Sequence, residues 1–287
     1  MTGIQRYGIA AVSCLTLLIF VLPRVTIAVP PAVLGTITEF TVPTADSFPA
    51  GITEGPDGNL WFVENTGNNL ASFNPQTHEF REYRIPAPGS FSVRVVADSD
   101  GNLWFTESAG NHIGEFTIAT GTFHEYRIPT AGASPFEIVL SDTGIWFTEQ
   151  GTGKIGNVSN GVVTEYSTHA PNSDPVGIVP GTDGAIWFTE LAGQRVVRFD
   201  PPTQTFTDYY VPDGEPFEIE RGPDGAFWFT IEERPGIGRI TNAGEITRFA
   251  IPTLAADPMT LRWARTAHFG LTKARRTRSG GSRRMGA

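Results

Sequence analysis

The chain has 287 residues, enough for one large domain or two small ones, and an apolar fraction of 40% supports a real core and excludes wholesale disorder. Only 18% of residues are charged, while Gly (32), Pro (22) and Phe (20) are abundant. Such a composition describes many short strands joined by tight turns and excludes helical bundles and coiled coils.

The N-terminus reads as a signal peptide over residues 1–28. A basic residue, Arg6, precedes an apolar run from Ile9 to Leu22, and small residues lead to a cleavage point near Ala28. The run is short for a membrane span, so an uncleaved anchor is the weaker reading. The single cysteine, Cys14, lies in this run, so the mature protein is expected to be exported and held together by packing alone, without disulfides. No later stretch could span a bilayer, and no membrane partner is expected after cleavage.

From about residue 29 to 258 a repeat organises the chain. Trp-Phe occurs at 61, 104, 146, 187 and 228, at intervals of 43, 42, 41 and 41. Gly55-Pro56-Asp57-Gly58-Asn59-Leu60-Trp61-Phe62 returns as Gly222-Pro223-Asp224-Gly225-Ala226-Phe227-Trp228-Phe229. Downstream come Ile113-Gly114, Ile155-Gly156 and Ile237-Gly238, then Glu82-Tyr83-Arg84-Ile85-Pro86 and Glu125-Tyr126-Arg127-Ile128-Pro129. A period near forty with aromatic and glycine markers marks an all-β fold, a β-propeller with four strands per blade. Pro-Asp-Gly supplies the turn from the innermost strand to the Trp-Phe strand. That second strand is apolar on both faces, because a blade packs between two neighbours. The Ile-Gly glycine is expected to let sheets approach closely. No helical unit of ten residues is visible, which excludes a TIM barrel.

Thr36–Pro43 matches a fourth, outer strand that would complete the last blade and close the ring, and five full blades follow from about Phe48 to Pro252. A closed ring would be a monomer; a ring left open would expose an apolar blade face and aggregate. The sixth Trp-Phe, due near 269, is absent. Residues 259–287 instead carry eight basic residues and no acid, a tail of +8 against −17 for residues 1–258. Joining the last base of each codon to the first two of the next restores blade text. Met259 into Thr260 must give Asp, Trp263 into Ala264 must give Gly, and Phe269 into Gly270 can give Trp. The tail is therefore expected to be a frameshift product rather than a nucleic-acid-binding arm, and nucleic acid is not an expected partner.

The repeated text, with Leu103-Trp104-Phe105-Thr106-Glu107, Ile186-Trp187-Phe188-Thr189-Glu190 and Ile237-Gly238-Arg239-Ile240-Thr241, resembles the virginiamycin B lyase (streptogramin B lyase) family over roughly residues 35–258. The resemblance implies a seven-bladed propeller that linearises cyclic depsipeptide antibiotics by Mg²⁺-assisted elimination at an ester. It also implies histidines after the Pro that opens the inner strand in late blades, and a metal-holding Glu after a late Trp-Phe. Here the residues after that position are Ala50, Val93, Phe136, Val176 and Phe217. None is His, so the catalytic residues are unknown. Glu232, four after Trp228, has the spacing of the metal carboxylate, but in an earlier blade. His78, His112, His124 and His169 read as solvated histidines of connecting or outer segments, and His268 lies in the tail.

Reading the residues alone, Arg94, Glu137 and Glu218 are expected on innermost strands, lining the channel as candidates for a cation or polar ligand or as a mutual ion-pair network. Glu64, Glu107, Glu149 and Glu190 recur by blade, which suggests a structural role such as accepting backbone N–H groups. Asn157-Val158-Ser159 fits an N-glycosylation acceptor. Three functions follow: a carbon–oxygen lyase using Mg²⁺, a non-catalytic propeller for a small-molecule or cyclic peptide ligand, and, less well supported, a lactonase-like hydrolase.

Overall fold

The structure is a computed structural model that describes residues 38–170, 172–212, 214–232, 234–251, 256–263 and 269–275. The segment expected to be a signal peptide and most of the basic tail lie outside the described residues. The chain divides after Thr41. Of the first unit only Thr38–Thr41 are described, and they are irregular; the outer strand expected over Thr36–Pro43 is not formed by its described residues. Thr44 nevertheless behaves as a blade exit, giving its N–H and hydroxyl to Glu82 at 2.9 Å each.

The second unit holds every strand among the described residues. Blade one is β1 (Pro49–Glu54), β2 (Leu60–Glu64), β3 (Asn69–Phe73) and β4 (Phe80–Arg84). Blade two is β5 (Ser92–Ala97), β6 (Asn102–Glu107), β7 (His112–Thr117) and β8 (Thr122–Arg127). Blade three is β9 (Pro135–Ser141), β10 (Gly144–Glu149), β11 (Lys154–Ser159) and β12 (Val162–Ser167). Blade four is β13 (Pro175–Pro180), β14 (Ile186–Glu190), β15 (Arg195–Asp200) and β16 (Thr205–Tyr210). Blade five is β17 (Pro216–Arg221), β18 (Phe227–Ile231), β19 (Gly236–Ile240) and β20 (Ile246–Ala250). Each is a four-stranded antiparallel meander, as the repeat predicts.

The turns work as their residues dictate. Gly58, Gly101, Gly184 and Gly225 take φ between 75° and 94°, which a side chain would resist. Asp57, Asp98 and Asp224 accept from the indole N–H of Trp61, Trp104 and Trp228 at 3.0–3.1 Å, so each turn is tied to the strand it launches. Four apolar cores fill the four junctions between consecutive blades, with Trp61, Trp104, Trp146 and Trp187 buried in them. Trp228 stays half-buried, stacked on Phe249 at 5.5 Å with Arg239 over its ring.

The Ile-Gly glycines serve a different contact from the one expected. A Cβ on Gly114, Gly156 or Gly238 would stand 2.1–2.2 Å from the ring tip of Phe105, Phe147 or Phe229, its cross-strand partner in the same blade. Glycine lets the phenylalanine of the second strand lie flat across the third.

After blade five, β21 (Ala256–Trp263) and β22 (Phe269–Arg275) form an antiparallel pair, and β21 lies against β17 and β18. Residues 259–263 and 269–275 are thus strands, although their text carries no strand signal. Pro258 opens a register shift as Pro216 does in β17, so the backbone continues the pattern of the inner strands.

Candidate functional site

Inner strands β1, β5, β9, β13 and β17 surround a cavity of about 620 Å³. Every one contains a register shift just after its start. The shift takes the N–H of Arg94, Glu137, Gly177 and Glu218 off the ladder, and the hydroxyls of Thr106, Thr148, Thr189 and Thr230 accept it at 2.9–3.2 Å. Three of those hydroxyls then donate to the next blade, at Phe136 O, Val176 O and Phe217 O. In blades two to four one threonine therefore both fixes the bulge and ties two blades, Thr230 fixes it in blade five, and Val63 stands in that place in blade one.

Three bulged residues bear charge, and the structure brings all three into the cavity. Arg94 Nε donates to Glu137 Oε2 at 2.8 Å, and its guanidinium lies 5.3 Å from the Phe136 ring centre. Burial pushes the guanidinium pKa down, but Glu137 and Glu218 outweigh it and hold it above the ordinary value. Glu137 and Glu218 are 8% and 3% exposed. The remaining positions at this level are glycine, because Gly51 and Gly177 lie against the backbone of β5 and β17. Arg94 and Glu137 form an ion pair on which Glu218 acts electrostatically, a group with a formal charge of −1.

The end of the channel where inner strands begin is aromatic. Phe136 and Phe217 meet edge to face, with centres 6.0 Å apart. Phe48 and Phe91 stand just before β1 and β5, 69% and 47% exposed, both with φ near +50°. Phe136 and Phe217 thus stand at the inner-strand position for which the family resemblance implies histidine, and Phe48 and Phe91 lie two residues ahead of it in their blades.

The other expected residues fall elsewhere. Glu232 follows β18, half-buried, with its backbone N–H on Glu215 O at 2.9 Å. Among the described residues no three His, Cys, Asp or Glu side chains converge as metal ligands. Glu137 is taken by Arg94, on which Glu218 also acts electrostatically, so these residues do not fit a Mg²⁺ site. His78, His124 and His169 are exposed. His112 departs from expectation: it sits on β7, half-buried, with Nδ1 enclosed and unpartnered. Asn157 is 7% exposed, its amide turned to Thr143 O and Ile145 O, so it is not presented as a glycan acceptor.

Glu64, Glu107, Glu149 and Glu190 are buried at the ends of the second strands, and Ile231 takes the place in blade five. Among the described residues no backbone N–H donates to them. That work falls to fourth-strand acids: Glu82, Glu125 and Glu165 take the N–H of Thr44, Ala87 and Thr130 at 2.8–3.3 Å. Sequence alone could not separate the two acids, since both recur once per blade.

Against this fold and site, the model of the virginiamycin B lyase family matches residues 31–167 and 141–269. The chain belongs to that family. Among solved structures, virginiamycin B lyase from Staphylococcus aureus is 33% identical, with 82% of this chain and 81% of that one covered and a TM-score of 0.78. A streptogramin B lyase structure is 34% identical over 82% and 80%, at 0.77. A catalytically inactive histidine-to-alanine variant of the S. aureus lyase, with quinupristin, is 32% identical over 84% and 83%, at 0.75. Gluconolactonase structures at 12–15% identity share the fold alone. No curated protein matches the chain. Kinship at this level makes the protein a lyase-type propeller in fold and general function.

Proposed function

We propose that the protein is an exported propeller of the streptogramin B lyase class that holds a compact cyclic peptide or depsipeptide over the aromatic end of its channel. We further propose that this chain binds such a ligand without the Mg²⁺-assisted elimination that marks the family. The observation that carries this reading is the set of residues after the inner-strand openings. Ala50, Val93, Phe136, Val176 and Phe217 present no imidazole there. Elimination at an ester needs a base for a carbon-bound proton and an electrophile for the departing carboxylate. Glu137 is engaged by Arg94, and the described residues assemble no metal ligands. What they do offer is apolar ring surface beside a formally negative ion-pair group, which suits an amphipathic ligand with a basic substituent.

The second reading, a working lyase, is favoured by 32–34% identity to lyases and would draw its base and metal ligands from outside the described residues. Calorimetric titration with a group B streptogramin, with and without Mg²⁺, followed by chromatography and mass spectrometry, separates the two. Binding with the ring intact is expected. A linear product of unchanged mass that requires Mg²⁺ would establish elimination and overturn the binding reading. A product that gains the mass of water would indicate a lactonase.

A further inference from the structure

The blade repeat contains its own substitution series. In each of blades one to four the first residue of the third strand pairs with a buried second-strand acid; a fourth-strand acid acts on that acid in blades one to three and shares Arg195 with it in blade four. In blade one that residue is Asn69, whose amide donates to Glu64 at 2.8 Å. In blade three it is Lys154, whose ammonium reaches Thr130 Oγ1 at 2.6 Å and Glu165 at 3.4 Å, while Thr152 serves Glu149. In blade four Arg195 forks between Glu190 and Asp208 at 2.7 and 2.9 Å. In blade two it is His112. There Glu107 is 0% exposed, neither of its oxygens has a partner, and the imidazole Nδ1 beside it is likewise enclosed and unpartnered. Both Glu107 Oε2 and His112 Nδ1 lie within 3.6 Å of the same point, the place a Cβ on Gly110 would occupy. The exit into this blade is Ala87, which has no hydroxyl to give where Thr44 and Thr130 have one.

We propose that blade two closes its staple with a proton where blade four uses a guanidinium, so that Glu107 stands as a neutral carboxylic acid at neutral pH. An ionised Glu107 would be a buried anion without a donor, facing Glu125, which already accepts the N–H of Ala87 at 2.8 Å. The charged and titratable groups around it are Glu125 and Arg127 on β8 and His112 on β7; Ser92, its pair on β5, brings none. Burial, with Glu125 adding to it, raises the Glu107 carboxyl to about 8. The niche lies where β5 starts, two residues before Arg94, so the proton sits at the root of the strand that carries the channel guanidinium.

Infrared spectroscopy of the full chain tests this by following the carbonyl band of protonated carboxylic acids from about pH 6 to about pH 9.5. The parent should lose the band in steps, with the step at highest pH belonging to Glu107. That step should vanish in Glu107→Gln, and also in His112→Arg, which gives blade two the fork of blade four and leaves Glu107 in place. A high-pH step that persists in both variants, or a parent with no protonated carboxyl above pH 7, would overturn the proposal. Should Glu107→Gln fail to fold, His112→Arg decides alone.

Discussion

Replacing Arg94 by Met keeps much of the side-chain volume and removes the charge at the centre of the channel group. Glu137 then loses a 2.8 Å partner while its side chain is only 10% exposed, and Glu218 loses the nearby guanidinium. Orphaning one partner of a buried pair costs about 3–5 kcal/mol. The Arg94 side chain is 20% exposed, so water reaches the pair and screening lowers the cost to about 2–3 kcal/mol. At about 2–4 °C per kcal/mol for a domain of this size, the thermal midpoint at pH 7 should fall by about 4–12 °C. The deficit should shrink in the double variant Arg94→Met, Glu137→Gln, which removes the orphaned charge. A single variant that melts with the parent at pH 7 would refute the reasoning and mark the ion pair as solvent-screened.

Gly156→Ala should destabilise by about 1–3 kcal/mol in chemical denaturation, because its Cβ would fall 2.1 Å from Phe147; adding Phe147→Leu should restore part of the loss. Thr148→Val removes both the acceptor for Glu137 N–H and the donor to Val176 O, and should cost about 1–3 kcal/mol with a shift in ligand affinity on titration. The carboxyls of Glu64 and Glu149 are raised to about 7 and that of Glu107 to about 8, chiefly by burial. Acids whose folded pKa is raised bind protons more tightly in the folded state, so their contribution is full below about pH 4.5 and is lost as pH rises through 7 to 8. The unfolding midpoint should therefore fall between about pH 5 and about pH 8.5, and a midpoint that rises across that window would contradict the shifts. Sequencing the transcript across the codons for Pro252 to Ala287 should show that the alternative frame encodes blade text; a nucleotide sequence incompatible with it would make the basic tail genuine.

The repeat, its turns and the all-β fold were legible in the sequence because they rest on local chemistry repeated every forty-odd residues. Pro-Asp-Gly bends wherever it occurs, and a Trp-Phe strand must be covered on both faces. Arg94, Glu137 and Glu218 line the channel cavity, and their common offset, two residues after Ser92, Pro135 and Pro216, was visible in the sequence. Their pairing was not, because it joins residues 43 apart in sequence across two blades. The role of Thr106, Thr148, Thr189 and Thr230 was likewise hidden, since a hydroxyl's partners depend on a bulge and on a neighbouring blade. The sequence shows Glu107 beside His112 as one more blade repeat. Only the tertiary structure reveals that this copy lacks the donor its sister blades possess, because burial and hydrogen-bond partners are properties of the packed chain and not of the residue.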